Sequence, residues 1–243
     1  MTDAELARSL AIAAGHLLCE LQRSGPADGK VLGDLADRTS NTMLMAALRR
    51  ERPDDAILSE EEADDRSRLA ARRVWLIDPL DGTREYGERR DDWAVHVALS
   101  IDGRIADGAV SQPALDQCFC TANPPALLAP ERRLRIAVSR SRQAACADTL
   151  AASIGAVLVP MGSAGAKTLA VLRGEADVYL HQGDMHEWDS GAPAAVAQAA
   201  GLAVSRIDGR PLVFNQPRPI TPDVLICHHE IQADLLAAIA RLQ

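Results

Sequence analysis

A chain of 243 residues is long enough for one large or two modest cores without disulfides or a structural metal. Its net charge of −8 argues against binding DNA or RNA as a polymer, for which a basic face is the electrostatic footprint, and no apolar run reaches the ~18 residues of a membrane span. Five cysteines, Cys19, Cys118, Cys120, Cys146 and Cys227, show no zinc spacing and are odd in number, which points to free thiols in a reducing cytoplasm.

Thr2 and Glu5 have the spacing of a capping box ahead of an amphipathic helix through Leu6, Leu10, Leu17 and Leu21, and the early charges do not suit a signal peptide. Helices are predicted over residues 1–23 and about 36–50, joined by the glycine-rich segment 24–33. The turn Pro53-Asp54-Asp55 then leads to a short apolar run that ends in Ser59-Glu60-Glu61-Glu62, placing acids at a strand end. A charged loop, 63–73, reaches the most informative stretch, residues 75–83, WLIDPLDGT. Residues 74–77 read as a buried strand, Pro79 is expected to stop it by removing a donor, and Gly82 permits a sharp turn. Asp78 and Asp81 thus sit three residues apart on a stiff corner. Two carboxylates so placed suit Mg²⁺, which takes a few carboxylates, waters and substrate phosphate oxygens. A helix beginning there would let the N–H groups of Gly82 and Thr83 hold a phosphate. An EF-hand loop is excluded, since aligning Gly82 with its glycine puts Ile77 and Pro79 where oxygen side chains belong. Taken alone, the string could still be an ordinary turn.

Further along, residues 93–101 and 105–110 read as a hairpin turned by Asp102-Gly103, followed by a strand at 117–121. The proline-rich segment 123–130 divides an N-terminal α+β part, 1–130, from a smaller C-terminal α/β part, 131–243. In the latter, strands at 135–139, 156–160, 176–180 and 225–228 alternate with alanine-rich helices. The run 186–191, His-Glu-Trp-Asp-Ser-Gly, opens a helix at 192–200 stopped by Gly201. Asp189 in it fits two roles, helix N-cap and oxygen ligand.

Three separated segments, LSEE (58–61), WLIDPLDGT (75–83) and WDSGAPAAVAQAAG (188–201), together resemble the inositol monophosphatase-like superfamily of Mg²⁺-dependent, lithium-sensitive phosphatases over nearly the whole chain. The fuller forms LSEEE, DPLDGTREY, VSRS and GSAGAK are closer to its CysQ branch, the 3′-phosphoadenosine 5′-phosphate phosphatases, than to the inositol phosphatases, where GEE and DPIDGTTNF would stand. The resemblance implies a layered α/β/α/β/α sandwich, with an antiparallel-rich sheet in the first part, a smaller sheet in the second, and the site in the cleft between them.

By that resemblance, two or three Mg²⁺ ions are expected. Glu60 would bind the first and orient the attacking water, Asp78 would bridge two, the Leu80 carbonyl would complete a shell, and Asp81 with Asp189 would hold the second. Asp37 would lie near a weaker third. Thr83 would hydrogen-bond the nucleophilic water, and the N–H groups of Gly82 and Thr83 would hold the phosphate. Lys30 does not align with the family's lysine and is left out, and Glu61 and Glu62 read as solvated neighbours. Ser139, Arg140, Arg142, Ser163 and Lys167 are the candidates for a second phosphate or a ribose. For the arginines surface solvation is the competing reading. His186 reads as a supporting hydrogen-bond group, and Tyr86 as core.

The function implied is hydrolysis of the 3′-phosphate of adenosine 3′,5′-bisphosphate, with its sulfated form as a second substrate. The alternatives are an inositol monophosphate or fructose 1,6-bisphosphate phosphatase and, from another class, a silent metal- and phosphate-binding regulator. The expected partner is a small phosphorylated nucleotide rather than a nucleic acid or membrane, with homodimer formation left open.

Overall fold

Two five-stranded sheets separate three helical layers in the computed structural model, which describes residues 1–25, 27–141 and 144–242. Helix α1, Asp3–Ser24, opens on the expected capping box: the Glu5 N–H donates to Thr2 Oγ1 at 3.2 Å and the Thr2 N–H to Glu5 Oε2 at 2.8 Å. Helix α2 spans Gly29–Glu51. It begins well before the expected residue 36, so the glycine-rich segment is largely helix. A helical glycine costs ~1 kcal/mol against alanine, which is why the sequence suggests a break; here Gly33 is kept by a close contact described below.

The first sheet follows chain order: β1 Ala56–Ser59, β2 Arg73–Asp81, β3 Ala94–Ile101, β4 Arg104–Gln112 and β5 Gln117–Cys120. Only β1 and β2 run parallel. Asp102 and Gly103 turn the β3–β4 hairpin with φ of 52° and 75°, the left-handed pair a two-residue hairpin loop needs. Contrary to expectation, Pro79 does not end β2. The strand continues to Asp81 across a bulge, where Asp78 is paired with His96 and Asp81 with Ala94; a bulge leaves one residue outside the ladder, so the missing donor costs nothing there.

The second sheet contains β6 Arg135–Ser139, β7 Val157–Met161, β8 Val178–His186, β9 Ala203–Ser205 and β10 Ile220–Cys227, in the order β7-β6-β8-β10-β9. It has as many strands as the first, because β9, only three residues long, escapes sequence reading. The remaining helices are α3 Thr83–Gly87, α4 Ala147–Ile154, α5 Ala164–Leu172, α6 Glu187–Ala199 and α7 His229–Ala240.

Strand alternation builds the layers. Trp75 and Ile77 of β2 face an outer core with Leu6, Leu18 and Leu44 of α1 and α2, whereas Val74 and Leu76 face a central core with Leu169 of α5 and Val196 of α6. A third core joins Ile136 and Leu225 to Leu150 of α4 and Ile239 of α7. The order helix, sheet, helix, sheet, helix is the sandwich expected. Small residues hold α6 close: a Cβ on Gly108 would lie 2.9 Å from that of Ala195. The five cysteines are unpaired, and no helix among the described residues is long and apolar enough to cross a membrane.

Candidate active site

The bulge at the end of β2 is tied down from three sides. Asp78 Oδ1 accepts the Leu80 N–H at 3.0 Å, Ser40 Oγ of α2 donates to the Pro79 carbonyl at 2.9 Å, and Asp81 Oδ2 accepts the Gly165 N–H of α5 at 2.7 Å. Gly82 then turns with φ of 90°, and a Cβ there would lie 3.2 Å from Ser163 Cβ; conformation and space together require glycine. Thr83 opens α3, with Oγ1 3.2 Å from the Leu80 carbonyl and 3.3 Å from Asp37 Oδ2. Gly33, one turn before Asp37 on α2, is pressed on the same residue: a Cβ would lie 2.7 Å from Thr83 Cγ2 and 3.0 Å from its carbonyl oxygen.

Residues 162–189 supply the facing wall. Asp92 accepts the Gly162 N–H at 2.7 Å through Oδ2 and the Ser163 N–H at 3.0 Å through its carbonyl. Ser163 caps α5 by accepting the Ala166 N–H at 2.9 Å. Lys167, buried, donates from Nζ to the carbonyls of Gly162 and Ser163 at 2.5 and 2.7 Å and lies 5.3 Å from the Tyr179 ring centre. Asp189 is not the N-cap of α6. His186 holds that place, and Asp189 sits three residues on, with Oδ2 accepting the His186 N–H at 2.9 Å.

A cavity of about 440 Å³ lies between these walls. It is lined by Glu60, Asp78, Leu80, Asp81, Gly82 and Thr83 from residues 60–83 and by Ser139, Ser163, Lys167, His186 and Asp189 from residues 139–189. Asp37 stands behind Thr83 and does not line the cavity. Arg140 does not line it either: Nε donates to Glu85 Oε1 at 2.7 Å and Nη2 to Glu88 Oε2 at 2.5 Å. Arg142 lies outside the described residues. His186 stacks on Trp188 with ring centres 4.3 Å apart, Tyr86 is core, and Lys30 is exposed and paired with Asp34 at 2.6 Å.

Crowding of the acids shows in their proton affinities. Glu60 is exposed to the cleft, yet desolvation by the surrounding chain, then the charges of Asp37 and Asp189, push its pKa up to about 8. Burial, then the Glu61 charge, raises Asp37 to about 7. Asp78 is raised well above the carboxylate range by burial and by Glu60, and Asp189 is raised by burial and by Asp81. Asp81 goes the other way: burial opposes its charge, but His96 and Lys167 outweigh it and lower the pKa. Burial brings Lys167 down to about 8 against the pull of Asp81, Glu85, Asp92 and Asp189.

Carboxylates that resist ionisation together, with Asp37 Oδ1 buried and unpartnered, fit hard cations, which supply the missing positive charge. Among the described residues no three His, Cys, Asp or Glu side chains close into a metal-binding group. Mg²⁺ takes only part of its shell from carboxylates, the rest coming from waters, carbonyls and substrate oxygens. Sequence reading missed the residues that hold the corner, Gly33, Asp92, His96 and Gly165, because their roles are contacts between distant segments.

The chain belongs to the inositol monophosphatase family, whose model matches residues 3–243. It is 46% identical over 98% of its length to a Mycobacterium leprae protein named 3′-phosphoadenosine 5′-phosphate phosphatase, 94% of which is covered. It is 31% identical over 74% of its length to the Escherichia coli protein named 3′(2′),5′-bisphosphate nucleotidase CysQ, 78% of which is covered. Among solved structures, CysQ from Bacteroides thetaiotaomicron superposes with a TM-score of 0.79 at 24% identity, covering 93% of this chain and 97% of that one, and shares its fold.

Proposed function

We propose that the protein is a Mg²⁺-dependent phosphatase that removes the 3′-phosphate of adenosine 3′,5′-bisphosphate to give AMP and phosphate, with the sulfated form as a second substrate. The observation that carries this reading is the convergence of Glu60, Asp78 and Asp81 from one part and Asp189 from the other on one cavity, beside the Gly82-Thr83 turn. The names borne by its relatives supply the substrate, and free cysteines suit a cytoplasmic site of action.

Glu60, Asp78, the Leu80 carbonyl, Asp81 and Asp189 would hold two ions, with Asp37 near a third. Bound Mg²⁺ lowers the pKa of water and neutralises phosphate charge. The chain supplies positioning, which phosphoryl transfer chiefly requires. The N–H groups of Gly82 and Thr83 hold the phosphate. Glu60 and Thr83 orient the water. Because Thr83 Oγ1 can donate to Asp37, its lone pair is free to accept the water's proton as the oxygen attacks phosphorus, and Asp37 takes the proton that Thr83 passes on. The bond from phosphorus to the 3′-oxygen breaks, and that oxygen is protonated from solvent. Lys167 gives the second wall a positive charge for the other phosphate, aided by Ser139 and Ser163. Arg140 would join only on leaving Glu85 and Glu88.

Phosphate release tests this reading. Wild type should turn over with Mg²⁺ and stop in chelator, and Asp78→Asn should abolish turnover while the protein stays folded. Turnover in chelator, or an active Asp78→Asn at saturating Mg²⁺, would overturn it.

A further inference from the structure

His96 is fully buried at the middle of β3, and no step above uses it. It faces Asp78 across the β2–β3 pair, so its ring projects toward the central layer. There it touches both halves of the candidate site. Nε2 lies 3.1 Å from Asp81 Oδ2, and Nδ1 lies 3.2 Å from the carbonyl of Trp188, the residue before Asp189. The space is tailored to the ring: a Cβ on Gly165 would lie 2.4 Å from Nε2, and the Gly165 N–H donates to the same Asp81 oxygen at 2.7 Å.

We infer that His96 is a positioning residue that registers Asp81 against Asp189. The inference rests on the phosphatase reading, in which both aspartates are ligands. Three features support it. The rigid imidazole spans from the end of β2 to the start of α6, so the separation of two carboxylates from different parts of the chain is fixed by one buried ring. Gly165 and His96 both engage Asp81 Oδ2, which leaves Oδ1 for the cleft. The Nε2 contact is close but is not aligned as a hydrogen bond, so the orientation of the ring and that of the Asp81 carboxylate constrain each other over a short distance. An apolar side chain of the same size would fill the space without holding either aspartate.

The test uses the full chain as wild type, His96→Phe, His96→Gln and His96→Asn, with folding checked by near-ultraviolet circular dichroism. Mg²⁺ affinity is read by calorimetry, and kcat and KM are measured at saturating Mg²⁺. His96→Phe should bind Mg²⁺ at least tenfold more weakly and lose kcat at least tenfold, with KM for substrate within twofold of wild type. His96→Gln, whose amide nitrogen can stand where Nε2 stood, should recover most of the Mg²⁺ affinity. His96→Asn, which reaches the Trp188 carbonyl but not Asp81, should recover less. Should His96→Phe fail to fold, the comparison of Gln with Asn decides. Folded variants that bind Mg²⁺ as wild type does, or Gln and Asn that bind it equally, overturn the inference. Wild type that binds no Mg²⁺ overturns the phosphatase reading itself.

Discussion

Thr83 Oγ1 lies 3.3 Å from Asp37 Oδ2, joining the head of α3 to the middle of a helix 46 residues earlier in the chain. The hydroxyl that faces the cavity is thereby backed by a buried acid with a pKa of about 7. Asp37→Asn should lower kcat by roughly 10²-fold or more, the scale of a lost general base. It should also raise the melting temperature of the metal-free protein at pH 8, since it removes a buried charge. Steady-state kinetics and thermal unfolding in chelator check both, and unchanged kcat would remove Asp37 from the proton path.

Stability without metal should fall as pH rises. Asp37 and Glu60 have folded-state values of about 7 and 8 against ordinary values of 3.8 and 4.5. The folded chain therefore holds more protons than the unfolded chain between about pH 4 and 8, and stability is lost as pH rises through the folded-state values. Mg²⁺ binding competes with those protons, so the gain in melting temperature on adding Mg²⁺ should grow from pH 5 to pH 8. Melting curves with Mg²⁺ and with chelator, taken across that range, test it; a gain independent of pH would contradict the crowded-acid account.

Gly33→Ala should improve helix propensity yet impair the enzyme. The added methyl meets Thr83 at 2.7 Å, a distance that forces α2 or α3 to shift. A displaced Thr83 should cost about tenfold in kcat, ~1.4 kcal/mol in the barrier, with Mg²⁺ affinity less affected. Wild-type kcat in this variant would show that the α2–α3 contact does not set the Thr83 position.

The acids at the cavity were legible because each lies in a short local motif at the end of an apolar run, where strand or helix periodicity stops. Their convergence follows from topology that the alternation of strands and alanine-rich helices already suggests. What was not legible depends on contacts between distant segments. Gly33 reads as a loop glycine until Thr83 is packed on it. Pro79 reads as a strand end until the bulge between Asp78 and Asp81 excuses its missing donor. His96 sits in an apolar strand with no local signal at all. Arg140 reads as a free cation near a strand end, and only the fold brings Glu85 and Glu88 against it.

The substrate assignment is tested most directly by kcat/KM for adenosine 3′,5′-bisphosphate and for inositol 1-phosphate, measured side by side with Mg²⁺. A cavity lined by Glu60, Asp78, Asp81 and Asp189 with the buried Lys167 beside them should favour the bisphosphate by more than about tenfold, ~1.4 kcal/mol of transition-state stabilisation. A preference for inositol 1-phosphate would contradict it.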